Sequence, residues 1–123
     1  MSAANRRVFV DFKQLAAQGT ELDFPDGMTV DAGGRVYVAC YEARQVAVFE
    51  PERPDVVAER IEFPTAQITS LAFGGEHYSE LFVTSARQGL NEEQLLADPL
   101  AGATFRVTGL PGNARGFAPD YMF

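Results

Sequence analysis

Asp26 lies in the run Phe24-Pro25-Asp26-Gly27-Met28-Thr29-Val30-Asp31, between a proline and a glycine at the entrance to an apolar strand. Proline sets φ and glycine permits backbone angles closed to other residues, so such a turn aims the carboxylate instead of leaving it loose. An aimed carboxylate fits a metal ligand or a general base. It is one group, and either chemistry needs partners. Asp31 precedes the glycines Gly33 and Gly34 and reads as a turn-stabilising carboxylate. Cys40, the single cysteine, sits inside an apolar strand and reads as a small buried hydrophobe, not a nucleophile. His77 is the single histidine, so no histidine cluster or serine triad forms within one chain. It falls in a polar hairpin tip and is read as solvated.

The elements that position these groups are short strands. The readable strands are Val8 to Phe12, Met28 to Asp31, Val36 to Tyr41, Gln45 to Phe49, Val56 to Phe63, Ile68 to Phe73, Leu81 to Ser85 and Ala103 to Val107. Between them lie turn residues: Ala32-Gly33-Gly34, Glu42-Ala43-Arg44, the proline loop 51–55 and the stretch 74–79. Asn91, followed by Glu92 and Glu93, caps a short surface helix that Pro99 stops. That helix reads as a decorated loop, with a lid as the functional alternative. The pattern repeats, since Met28 maps onto Leu71 at a step of 43 and Val36 onto Leu81 at a step of 45. A four-strand unit recurring at roughly 40–50 residues is the mark of a β-propeller blade. Spacing alone leaves a propeller and a sandwich equally open. In this alignment Thr69 is the counterpart of Asp26, and a structural role in the turn is the simpler reading for it. Tyr41, Arg44 and Arg87 follow the equivalent strands and read as turn residues near one rim.

Length and charge narrow the function classes. The 123 residues suit one domain, and 46% hydrophobic with 22% charged residues is ordinary for a globular protein. The net charge of −7 repels phosphate, which argues against nucleic acid and anionic membranes as partners. No stretch approaches the roughly 18 apolar residues of a membrane span, and no leader pattern follows Met1, so the expected compartment is the cytosol.

Several motifs, in order, resemble the C-terminal part of the regucalcin / senescence marker protein / gluconolactonase family. They are Asn5-Arg6-Arg7, Pro25-Asp26-Gly27-Met28, Val38-Ala39-Cys40-Tyr41, Phe73-Gly74-Gly75, Tyr78-Ser79-Glu80, Val83-Thr84, Ala86-Arg87, Thr108-Gly109-Leu110 and Ala118-Pro119. The run 111–116 is slightly longer than the family's usual ending.

The resemblance implies an all-β fold, a partial six-bladed β-propeller with blade-like units at about 26–64 and 68–110 of the single segment 1–123. It implies a divalent metal, calcium first and zinc, manganese or magnesium otherwise, and hydrolysis of a sugar lactone. Asp26 inherits the family aspartate that binds the metal and is a candidate for proton transfer. The other family ligands and the substrate-contacting residues come from segments absent here, so substrate-binding residues stay unassigned. The isolated chain is therefore expected to be inactive. The rival expectations are a non-catalytic calcium-binding or interaction protein derived from a propeller, and self-association through open sheet edges.

Overall fold

The computed structural model describes residues 4–118. The N-terminal segment is not the strand that Val8 to Phe12 suggests. Asp11 adopts an extended backbone, its side chain accepts from the Lys13 amide, and helix α1 (Phe12–Ala17) starts behind it. No strand pairs with Val8 to Val10 among the described residues, so their alternation has no ladder to join. The cap decides the local structure instead.

The first sheet has the order β1 (Phe24–Val30), β2 (Val36–Tyr41), β3 (Gln45–Phe49), β4 (Glu59–Glu62), all antiparallel. The second has the order β5 (Ile68–Gly74), β6 (Glu80–Ser85), β7 (Thr104–Val107). Helix α2 (Glu92–Ala97) lies in the β6–β7 connection, and a 3-10 turn (Pro111–Asn113) follows β7. Most strand ends match the sequence reading within a residue or two. Two do not: β1 starts four residues early, at Phe24, and β4 is only four residues long.

One face of the first sheet packs on one face of the second. Tyr37, Ala39, Val46 and Val48 meet Ile68, Leu71, Leu81 and Val83 in a common core. The backbones come closest where β1 and β2 approach β5. Aromatic rings fill the space between the sheets: Tyr37 on β2 meets Phe73 on β5 at 5.2 Å edge-on, and toward the outer strands Phe63 meets Phe105 at 5.4 Å. Small residues at the narrow side and rings at the wide side are what two diverging sheets need to keep native packing density.

Gly27 marks the narrow side. A Cβ built there would lie 2.8 Å from the Ser70 Cα and 2.7 Å from its Oγ. Its φ is not positive, so the glycine serves close approach of two backbones, not the unusual angle that the Pro-Asp-Gly turn suggests.

The two sheets are also tied at their far ends by residues 110–116. Leu110 and Ala114 join the core. Arg35 donates to the Pro111 carbonyl at 3.1 Å, Ala32 N–H to Arg115 O at 2.6 Å, and Gly116 N–H to Tyr78 O at 2.8 Å. Gly116 sits so tightly on Phe73 that no side chain fits between them.

Candidate active site

Asp26 is exposed, and it sits on a β-bulge. Pro25 pairs with Cys40 and Met28 with Val38, so Asp26 and Gly27 together face Ala39 alone. A second bulge lies in β5, where the register shifts between Ile68 and Ser70 and leaves Thr69 as the extra residue. The two bulges are neighbours, because Gly27 touches Ser70. The alignment of Asp26 with Thr69 is thus met in space as well as in sequence. Bulges re-aim side chains and gather near sites. The Thr69 hydroxyl is engaged with that of Thr84 at 2.8 Å, the structural role expected of it.

Around this end of the sheets lies a polar network centred on Gln67, which is buried. Its side-chain amide donates to Glu42 Oε1 at 3.1 Å and to the Gln88 carbonyl at 2.9 Å. Its side-chain oxygen accepts from Gln88 N–H at 2.8 Å, and its carbonyl accepts from Ala86 N–H at 2.9 Å. Gln67 therefore locks the turn after β2 to the turn after β6. The Tyr41 hydroxyl reaches Gln88 Oε1 at 3.5 Å across the same gap. Arg44, at φ 59°, donates its N–H to Ala66 O and accepts from Phe63 N–H. Arg87 is exposed beside them. Arg44 and Arg87 are exposed turn residues, the reading their sequence favours. The sequence does not single out Gln67, since Gln45 likewise opens an apolar strand and the bonds of Gln67 all go to distant residues.

Helix α2 overhangs this end and is capped as its sequence requires. The Asn91 side chain accepts from Gln94 N–H, and the Gln94 side chain accepts from Asn91 N–H. The Ala66 amide donates to Asp98 Oδ2 at 3.2 Å, which ties the end of α2 to the inter-sheet loop.

The other acids and nucleophiles do different work. Asp31 lies at the opposite end, in the β1–β2 turn. One oxygen accepts from the Gly33 and Arg35 amides, and the other accepts from the Arg35 guanidinium at 3.2 Å and the Tyr37 hydroxyl at 2.9 Å. Burial works to raise its pKa, and these hydrogen bonds together with the charge of Arg35 outweigh it and hold the carboxyl below its usual range. Burial lifts the Tyr37 hydroxyl to about 12, with the bond to Asp31 adding to it. Cys40 is fully buried, and desolvation pushes its thiol up to about 11, which makes it unreactive. His77 is exposed at its hairpin tip.

Calcium takes about 6–8 oxygen ligands. Among the described residues no group of three or more His, Cys, Asp or Glu side chains comes together. Asp26 is a single carboxylate, so the residues present do not hold a divalent ion on their own.

The family model of the SMP-30/Gluconolactonase/LRE-like region matches residues 1–87, and the chain belongs to that family. Regucalcin from Homo sapiens is 42% identical over 102 residues, covering 80% of this chain and 32% of the human protein. Regucalcin from Gallus gallus is 40% identical over 103 residues, covering 84% and 33%. Among solved structures, a luciferin-regenerating enzyme superposes with a TM-score of 0.76 at 32% identity, over 94% of this chain and 36% of that one. The calcium-binding protein regucalcin from Agrobacterium tumefaciens superposes at 0.69 with 33% identity, over 80% and 32%. The chain thus spans about a third of the length of these relatives. Its fold is all-β, a part of a β-propeller, as the repeat and the resemblance lead one to expect.

Proposed function

We propose that the chain is the C-terminal segment of a regucalcin-like, divalent-metal-dependent sugar-lactone hydrolase, acting in the cytosol. Asp26 is its one contribution to the reacting centre, as a ligand of calcium or a similar ion and as a proton-transfer group. The remaining ligands and the substrate contacts come from family segments outside this chain. The observation that carries the reading is the placement of Asp26. It stands on the bulge where the inner strands of the two sheets meet, within a segment that belongs to the family.

On this reading the isolated chain hydrolyses no lactone. Activity toward a sugar δ-lactone appears when the chain is completed by the family segment it lacks and supplied with calcium, zinc or manganese. Asp26→Asn then lowers kcat by about 10²–10⁴-fold, the range for loss of a positioned acid–base group. Activity in the completed assembly that is untouched by this substitution removes Asp26 from the mechanism.

A second reading is a non-catalytic calcium-binding or interaction protein. The exposed apolar side chains of Met28 and Val30 on the first sheet support an interaction role. Calorimetric titration with calcium separates the two: heat from the isolated chain supports a binding protein, and heat only from the completed assembly supports the hydrolase segment.

A further inference from the structure

Helix α2 ends on a carboxylate with no cationic partner among the described residues. Asp98 is its C-cap, and the last turn of the helix carries no basic residue. No lysine, arginine or histidine of the described residues forms an ion pair with Asp98. A helix C-terminus is the negative end of the aligned peptide dipoles, so an acid there is unfavourable unless a cation accompanies it. One oxygen of Asp98, Oδ2, accepts from the Ala66 amide at 3.2 Å. The other, Oδ1, is shut off from solvent and has no hydrogen-bond partner among the described residues.

A second oxygen at the same junction is in the same condition. Thr65 precedes Ala66 in the inter-sheet loop and is fully buried. Its Oγ1 also lacks a partner among the described residues. Buried polar atoms are almost always paired, with protein groups, water or an ion, and two orphans on neighbouring groups point to one shared partner. The backbone adds to this oxygen surface. In a continuing helix the amide of residue 99 would bond the Leu95 carbonyl, and Pro99 has no N–H to give.

Oxygen donors select hard cations. A water bridging Thr65 and Asp98 would satisfy both oxygens and leave the carboxylate charge uncompensated. Charge also decides the valence of the ion. One carboxylate balances one positive charge, whereas a divalent ion asks for more ligands, and no group of three ligating acids, histidines or cysteines gathers among the described residues. We infer that Thr65 Oγ1 and Asp98 Oδ1 form a binding site for a monovalent cation, sodium or potassium, which fastens the end of α2 to the inter-sheet loop. Gln67, two residues beyond Thr65, carries that fastening on to the turns after β2 and β6. The site shares no residue with the Asp26 bulge, and it does not depend on the lactonase reading.

The test uses the 123-residue chain, melted in sodium, potassium and tetramethylammonium chloride at equal ionic strength, so that screening is constant. Tetramethylammonium is too large to enter a buried junction. Sodium or potassium is expected to raise the melting temperature by roughly 3–8 °C over tetramethylammonium, with a rise that saturates as a single site does. Thr65→Val keeps the shape and removes the hydroxyl. It is expected to abolish the difference between salts and to leave the melting temperature in tetramethylammonium no lower, since the oxygen it deletes has no partner there. Asp98→Asn keeps an acceptor for the Ala66 amide and is expected to abolish the difference too. Asp26→Asn is expected to keep it in full. Should Thr65→Val not fold, line broadening of the sodium NMR signal by the unsubstituted chain, absent with Asp98→Asn, reports the same site. Equal melting temperatures of the unsubstituted chain in the three salts overturn the inference and leave a water as the bridge. A salt difference that survives Thr65→Val, or one that vanishes with Asp26→Asn, overturns it as well.

Discussion

The two sheets arise from the same repeated pattern and end in different states. In the first sheet β2 and β3 are buried almost throughout, on both faces. In the second, β5 and β6 alternate buried and open residues. Strands buried on two sides read as continuous apolar runs, and strands buried on one side alternate. Val36-Tyr37-Val38-Ala39-Cys40 is the first kind, and Leu81-Phe82-Val83-Thr84-Ser85 is the second. The difference shows that a sheet's sequence records its place in the arc. The first is written for neighbours on both sides and the second, in this chain, for one.

The largest expected way to break that comparison is Phe49→Ala. Phe49 is fully buried on the α1 side of the first sheet, against Phe12. Its truncation is expected to cost about 3–5 kcal/mol in chemical denaturation. Phe105→Ala, at a half-buried site in the second sheet, is expected to cost roughly half as much on the same scale. Equal costs would mean that the two sheets are equally anchored.

Gly27→Ala comes next. It forces the β1 backbone away from Ser70 and is expected to lose about 1–3 kcal/mol, as overpacking does. A neutral result would show that the narrow side of the wedge yields easily.

The pH response sharpens the comparison further, since the strongly perturbed buried groups lie in the first sheet and its turn. Asp31 has a depressed folded pKa. Its contribution to stability is present above the pKa of an unfolded aspartate and is lost as pH falls through the lower folded value. Cys40 and Tyr37 have raised values of about 11 and about 12. Their contributions are complete below the unfolded pKa values of roughly 8.5 and 10, and are lost as pH rises through the folded ones. Thermal melts from acid to alkali are expected to show both flanks, with Cys40→Ala flattening the alkaline one. The smallest effect is expected from Arg106→Gln. That pair lies exposed on the second sheet, and salt screens such pairs. No measurable shift in melting temperature is expected.

Much of the fold was legible because apolar runs and turn residues alternate cleanly from Met28 onward. The capped helix at Asn91 was readable from its cap alone, since capping is a local interaction. Val8 to Phe12 misled because a strand needs a partner, and partners are not written in the strand itself. Gly27 misled for a related reason. Its local context, Pro-Asp-Gly, speaks of a turn, while its actual duty is set by Ser70, distant in sequence. Asp26 was legible as a candidate, and its place on a bulge was not, because a bulge is a property of two strands together. Gln67 is not legible in the sequence because each of its bonds is to a residue at least 19 positions away.

The tight seat of Gly116 on Phe73 has a practical corollary. The stretch from Leu110 to Gly116 works as a rivet through the ends of both sheets farthest from Asp26. A label, tag or proteolytic cut placed before it pulls the rivet and lets the wedge open, whereas one placed after it leaves the two halves clamped.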